Sequence, residues 1–173
     1  TSWLLNGLDW VLQNRQAHNI RVVNLSLGSF AIDSYTNDPV CLKVKELVEA
    51  GLVVVAAAGN LGRGQNSQKL YGTIHSPGNS PYVITVGASN SKGTDARDDD
   101  SITSYTSRGP TRSFYTKGNG DRVYDNVIKP DLVAPGNEVV SHRSAQSNGG
   151  SGDPDALLPV NAPETAADAM MYR

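Results

Sequence analysis

Apolar positions recur at helical spacing in two stretches of the chain and bunch into short, β-branched runs in four others. Leu4, Leu8 and Val11 fall on one face, with Trp3 and Trp10 flanking it, so the spacing predicts a helix capped at Ser2 and running to about Gln16. Val40, Val44, Leu47 and Val48 make a second stripe, with Lys43, Lys45, Glu46 and Glu49 on the wet side. Asp38 is placed to cap that helix and Pro39 to take its first position. Gly51 follows where a left-handed residue ends a helix. Residues 20–27 are apolar apart from Arg21, Asn24 and Ser26. Residues 52–58 and 82–88 read the same way, and residues 131–134 form a short fourth run. Runs with little polar alternation predict buried parallel strands. Strand, helix, strand order then predicts an α/β fold, a three-layer parallel sheet with flanking helices.

Two polar segments interrupt this pattern. Residues 112–126 carry the turn signal Gly118-Asn119-Gly120, and residues 145–154 are rich in Ser, Gly and Asn; both read as surface insertions, the second mobile. Residues 137–173 together read as an insertion-like tail, with one or two helical turns expected over residues 164–171.

Composition narrows the function classes. At 173 residues and 38% apolar, the chain suits one domain with a real core. A net charge of -2 gives no footprint for nucleic acid or an anionic membrane, and no run is long and apolar enough to span a bilayer. Cys41 is the single cysteine, which excludes an intrachain disulfide. Its spacing to Val44 and Val48 marks it as a small core hydrophobe, not a nucleophile.

Candidate chemistry centres on Gly59-Asn60, at the end of the run Val53-Val54-Val55-Ala56-Ala57-Ala58. Ligands of open α/β sheets sit at the carboxyl ends of strands, and an Asn there aims an N–H at a developing oxyanion. Taken alone, Gly-Asn is as well explained by a turn. Its companions change that balance: Asn24-Leu25-Ser26-Leu27-Gly28, Ser76-Pro77-Gly78-Asn79-Ser80-Pro81-Tyr82-Val83, the Ser-rich turn Thr103-Ser104-Tyr105-Thr106-Ser107-Arg108-Gly109-Pro110, and Lys129-Pro130-Asp131-Leu132-Val133-Ala134-Pro135-Gly136. In this order the set resembles the subtilisin-like serine proteases (subtilases, peptidase family S8).

The resemblance implies a partial subtilisin-like fold and a set of roles. Ser26, Leu27 and Gly28 hold the backbone of an extended peptide or protein substrate. Ala57, Ala58 and Gly59 wall the first specificity pocket, and Asn60 donates to the oxyanion. His75 stands where the family usually has a Gly on the pocket floor, so it either narrows the pocket or is a plain surface-loop His. No cofactor is required, but backbone carbonyls of Gly78, Ser80 and Val83 form the family's site for a structural cation such as Ca²⁺. An extracellular location is implied on the same ground. The small residues fit these roles, because they let a substrate backbone approach for strand addition.

The chain departs from the family at the triad. No Gly-Thr-Ser-type turn supplies a nucleophile. His18, His75 and His142 are followed by Asn, Ser and Arg, not by a His-Gly-Thr-His context, and no Asp opens an Asp-Thr-Gly. The expected protein is therefore the binding and oxyanion half of a longer endopeptidase, unable to hydrolyse peptides by itself. Its strand between Val22 and Leu27 is expected to be an exposed edge that pairs with a second copy. Two other readings stand beside it. One is a non-catalytic subtilase-like module that binds peptides. The other is a nucleotide-binding α/β domain built on Gly59, Gly62 and Gly64, though that spacing is not a dinucleotide fingerprint. The acidic run Asp95, Asp98, Asp99, Asp100 lacks the pattern of a metal loop and reads as a solvated turn.

Overall fold

The computed structural model describes residues 2–142 and 169–172. In chain order the elements are α1 (Ser2–Asn14), β1 (Val22–Leu25), β2 (Ser29–Phe30), α2 (Pro39–Glu49), β3 (Val53–Ala57), β4 (His75–Ser76) and β5 (Ile84–Asn90). They continue with β6 (Ser101–Ile102), β7 (Phe114–Thr116), β8 (Arg122–Tyr124), β9 (Leu132–Pro135), β10 (Val139–His142) and β11 (Ala169–Tyr172). Four parallel strands make the main sheet in the order β1-β3-β5-β9, and β6 adds antiparallel to the end of β5. The expected α/β architecture with a parallel sheet is observed.

Both helices pack on one face of that sheet. Leu8 from α1 and Val40, Val44 and Leu47 from α2 close over Leu25, Val54, Ala56 and Val83. Val44 and Leu47 are 0% exposed, and truncating Leu47 to Ala removes a fully packed side chain at a cost of about 2–5 kcal/mol. The other face of β3 is much less covered, with Val53 exposed and Val55 and Ala57 half-buried. Val22, Ile84 and Leu132 extend that open apolar face among the described residues.

Local chemistry explains the helix ends. The Asp38 carboxylate accepts the Val40 N–H at 2.8 Å, with Pro39 in the first turn as expected. At the other end Gly51 has φ +90°. The Gly51 N–H donates to the Val48 carbonyl and the Leu52 N–H to the Leu47 carbonyl, the double bond pattern of a Schellman cap. Lys43 on α2 reaches Asp9 on α1 at 2.8 Å.

Several expected boundaries move. α1 already includes Ser2 and stops at Asn14, after which the Ile20 N–H closes a turn on the Arg15 carbonyl. The expected buried strand over residues 20–27 shrinks to β1 and lies at an edge, with Val22 58% exposed. Among the described residues it pairs with β3 alone, and apolar composition by itself does not say whether a second neighbour is present. The run at residues 82–88 becomes β5 two residues later, because Ser80 first turns the chain by accepting the Tyr82 N–H.

The insertion at residues 112–126 folds as the β7–β8 hairpin. Asp125 anchors it, accepting from the Ser34 and Ser113 hydroxyls at 2.6 Å each and from the Tyr35 N–H at 3.1 Å. Ser113 in turn accepts from Asn79, whose side-chain carbonyl accepts the Cys41 thiol. This buried chain joins the hairpin to α2 and to the loop after β4. In the tail, residues 169–171 lie in β11, paired antiparallel with β10, not in helical turns. Residues 145–154, read as mobile, and 164–168 lie outside the described residues. No helix among the described residues is long and apolar enough to cross a membrane.

Candidate substrate-binding site

Three chain segments converge at the carboxyl end of β3. The first follows β1 and holds Ser26, Leu27 and Gly28, all exposed. The second is the end of β3 and the turn after it, where Ala57 is half-buried, Ala58 buried, Gly59 half-buried and Asn60 exposed. The third is β4, whose His75 N–H donates to the Ala58 carbonyl at 3.0 Å. β4 also pairs antiparallel with β2, placing Phe30 opposite His75 and Ser29 opposite Ser76. The segment ending in Gly28 is thereby tied to the segment holding His75.

His75 is the shared surface of the two walls. A side chain on Gly28 would come within 3.0 Å of the His75 Cβ, and one on Gly59 within 2.6 Å of the His75 Nδ1. Gly59 also has φ +104°, so both its conformation and its closeness to the imidazole require glycine. The Phe30 ring meets the His75 ring edge-on at 5.5 Å between centroids. The His75 Nε2 is buried without a hydrogen-bond partner among the described residues. Burial holds the His75 imidazole below its ordinary pKa, favouring the neutral ring. His75 lies in β4 and is half-buried, with its ring beside Gly28 and Gly59.

Asn60 is held by a residue the sequence did not single out. The Ser107 N–H donates to the Gly59 carbonyl at 2.8 Å and the Ser107 hydroxyl accepts the Leu61 N–H at 3.0 Å. Ser107 is 0% exposed and so brackets Asn60 from both sides. The next residue, Arg108, donates to the carbonyls of Gly62 and Thr103, pinning the Ser-rich turn beneath the Asn60 loop. The motif around Ser107 was legible, but its contact with Gly59 and Leu61 joins segments 46 residues apart. No local spacing reports it.

The carbonyls of Gly78, Ser80 and Val83 do not form a vacant oxygen cage. The Val83 carbonyl accepts the Lys129 ammonium at 2.8 Å, and the Gly78 carbonyl accepts the Thr85 hydroxyl at 2.6 Å. Lys129 also meets Asp131 at 2.6 Å, and its side chain is 2% exposed. Burial alone would raise the Asp131 carboxyl, but the Lys129 ammonium and the Thr85 N–H outweigh it and hold the group below the ordinary carboxylate range. A divalent ion about 4 Å from that ammonium would be repelled by roughly 8 kcal/mol at an effective dielectric near 20. A Ca²⁺ site does not fit beside an ammonium so placed.

Other features carry less. In the acidic run Asp95 and Asp98 are exposed while Asp99 and Asp100 are half-buried, and the Thr94 hydroxyl donates to Asp99. No group of three or more potential metal-binding side chains occurs among the described residues. An open cavity of about 390 Å³ lined by Ser89, Arg97, Asp100, Ser101, Ile102 and Val133 includes none of the site residues. No helix follows Gly59, Gly62 and Gly64, so the phosphate-loop reading loses the helix N-terminus it requires.

The chain has relatives among known proteins. The subtilase family model matches residues 1–161. Serine protease AprX of Bacillus subtilis is 39% identical over 149 residues, covering 83% of this chain and 30% of that protein. Subtilisin-like protease SBT6.1 of Arabidopsis thaliana is 32% identical over 143 residues, covering 83% of this chain and 11% of that one. Among solved structures, a protease described as S41 Psychrophilic Protease superposes with a TM-score of 0.55 at 25% identity, covering 80% of this chain and 39% of that chain. Sphericase superposes with a TM-score of 0.55 at 26% identity, covering 79% and 39%. The chain thus spans well under half the length of these relatives. Sheet order, converging site segments and family match agree, and the chain belongs to the subtilase family.

Proposed function

We propose that this chain is the substrate-binding and oxyanion half of a subtilisin-like serine endopeptidase, which in its full-length form cleaves peptide bonds by acyl transfer. The observation that carries the reading is the convergence of residues 26–28, residues 57–60 and His75 at the carboxyl end of β3, with Asn60 exposed there. An extended peptide adds its backbone along Ser26, Leu27 and Gly28, and its side chain enters between those residues and Ala57, Ala58 and Gly59. As the scissile carbonyl becomes tetrahedral, the Asn60 amide donates to the developing O⁻. The Ser, its His base and the orienting Asp come from outside this sequence. The 173-residue chain alone therefore hydrolyses nothing. Export to the cell exterior belongs to the same proposal and rests on the family resemblance.

His75 gives this pocket its character. Its ring fills the space beside Gly28 and Gly59 that a glycine would leave open, and so narrows the pocket. The reading is tested on the gene product that contains this chain. Peptide hydrolysis that falls on Asn60→Ala supports it; for a subtilisin's own oxyanion Asn the measured loss is roughly 10²–10³ in kcat. Saturable peptide binding without turnover in that product would instead establish the non-catalytic module.

A further inference from the structure

Lys129 is the one buried charged residue among the described residues, and a buried lysine is rare unless it is paired. Its ammonium bridges the Val83 carbonyl, just before β5, and the Asp131 carboxylate, just before β9. The same carboxylate accepts the Thr85 N–H at 2.6 Å, and the Asp131 N–H returns to the Thr85 carbonyl. The backbone of Lys129 is fixed as well, because its carbonyl accepts the Gly109 N–H at 3.0 Å. A side chain on Gly109 would come within 2.4 Å of that oxygen. A carbonyl and a carboxylate converging on one buried positive charge is the donor set a hard cation takes.

We propose that the Lys129 ammonium is a built-in cation that takes the place of a bound metal ion, so that the corner joining the loop before β5 to β9 is held together without Ca²⁺, Na⁺ or K⁺. The proposal does not depend on the proteolytic reading, since it concerns the corner that ties β5 to β9 and not the substrate groove. It separates this chain from what its family resemblance implies for the carbonyls of Gly78, Ser80 and Val83. It also makes one residue, not the medium, responsible for the charge balance of Asp131.

The test is thermal unfolding of the unmodified chain and of Lys129→Ala in choline, potassium and calcium chloride at matched ionic strength. The unmodified chain melts at one temperature in all three salts. Lys129→Ala melts lower in choline and regains part of the loss in potassium or calcium, whose ions enter the space between the Val83 carbonyl and the Asp131 carboxylate. Lys129→Gln, which keeps a donor for Val83 and leaves Asp131 uncompensated, repeats the comparison if the alanine variant fails to fold. Equal cation gains in variant and unmodified chain overturn the proposal. So does a saturable calcium-dependent rise in the unmodified chain that persists when Asp98, Asp99 and Asp100 are replaced by Asn.

Discussion

The Ser107 hydroxyl accepts the Leu61 N–H at 3.0 Å, while the Ser107 N–H donates to the Gly59 carbonyl at 2.8 Å. Asn60 stands between these two bonds, so its exposed amide is presented by a turn whose ends are fixed from beneath. Ser107→Ala keeps the second bond and removes the first, leaving the Leu61 N–H without its acceptor at a cost of about 1–3 kcal/mol. The expected outcome is faster hydrogen exchange at the Leu61 amide with little change at Ala58, whose N–H stays on the Val86 carbonyl. On the proposed function, the same variant in the gene product that contains this chain lowers kcat more than it raises KM, because an oxyanion is bound only in the transition state. Unchanged Leu61 exchange would show that Ser107 does not hold the turn.

His75 couples stability to pH. Its ring is held below the ordinary 6.5 by burial, so the unfolded chain takes up a proton at a higher pH than the folded one. Stability is fully present above 6.5 and is lost as pH falls from there through the lowered folded value. Denaturant unfolding across that range shows the decline, and His75→Gln, which does not titrate, flattens it. A decline of equal size in the variant would assign it to other groups.

On the proposed function the same ring also limits which side chains the pocket accepts. His75→Gly, placed in the longer gene product, opens the space between Gly28 and Gly59 and favours large apolar side chains. Preferences among apolar side chains then shift by roughly 10–200-fold in kcat/KM, the range a methylene commands in an apolar pocket. An unchanged preference profile for peptide substrates would remove His75 from the pocket.

Cys41 is silent chemically although it is the only thiol. Burial first, and the nearby Asp38 charge second, push it up to about 12, and the thiol donates to the Asn79 side-chain carbonyl at 3.2 Å. A thiol-specific reagent at mildly alkaline pH therefore labels the denatured chain and leaves the folded chain unmodified. Because the folded pKa lies above the unfolded value of 9.0, the corresponding stability is present below that pH and fades as pH rises above it. Rapid labelling of the folded chain would contradict this.

How much of this was legible follows from the reach of each interaction. Caps and stripes are local: Asp38, Pro39 and Gly51 act within a few residues, and the reading of α2 matched the structure from both ends. Gly28 and Gly59 stood out in the sequence as small residues, but what crowds a side chain at both is the His75 side chain, joined at Gly59 by the Ser107 hydroxyl, and that contact is not local in sequence. Lys129 was not legible. Its motif reads as the lead into a short strand, and the bond to Val83 spans 46 residues. Asp125 likewise looked like one polar residue of an insertion, yet it ties the β7–β8 hairpin to Tyr35, 90 residues away. The edge position of β1 was legible only through the family resemblance, since Val22 and Val23 would be equally at home inside a sheet.

That edge gives the last prediction. Among the described residues β1 bonds only β3, and the Val53 N–H donates to the Arg21 carbonyl. Parallel pairing alternates, so Val22 and Asn24 turn their backbone groups away from β3, toward open solvent among the described residues. Val22 and Val53 add exposed apolar surface beside them. An unpaired, apolar edge recruits another strand, and the expected outcome is a dimer or larger assembly of the 173-residue chain in light scattering. Val22→Pro removes an outward N–H without emptying the core, since Val22 is 58% exposed and proline is tolerated at an edge. The variant is therefore monomeric at the concentration where the unmodified chain associates. If association persists in Val22→Pro, the contact lies on the open face at Val53 and Ile84, and Ile84→Lys becomes the variant that abolishes it. A monodisperse monomer of the unmodified chain at high concentration would sink both versions.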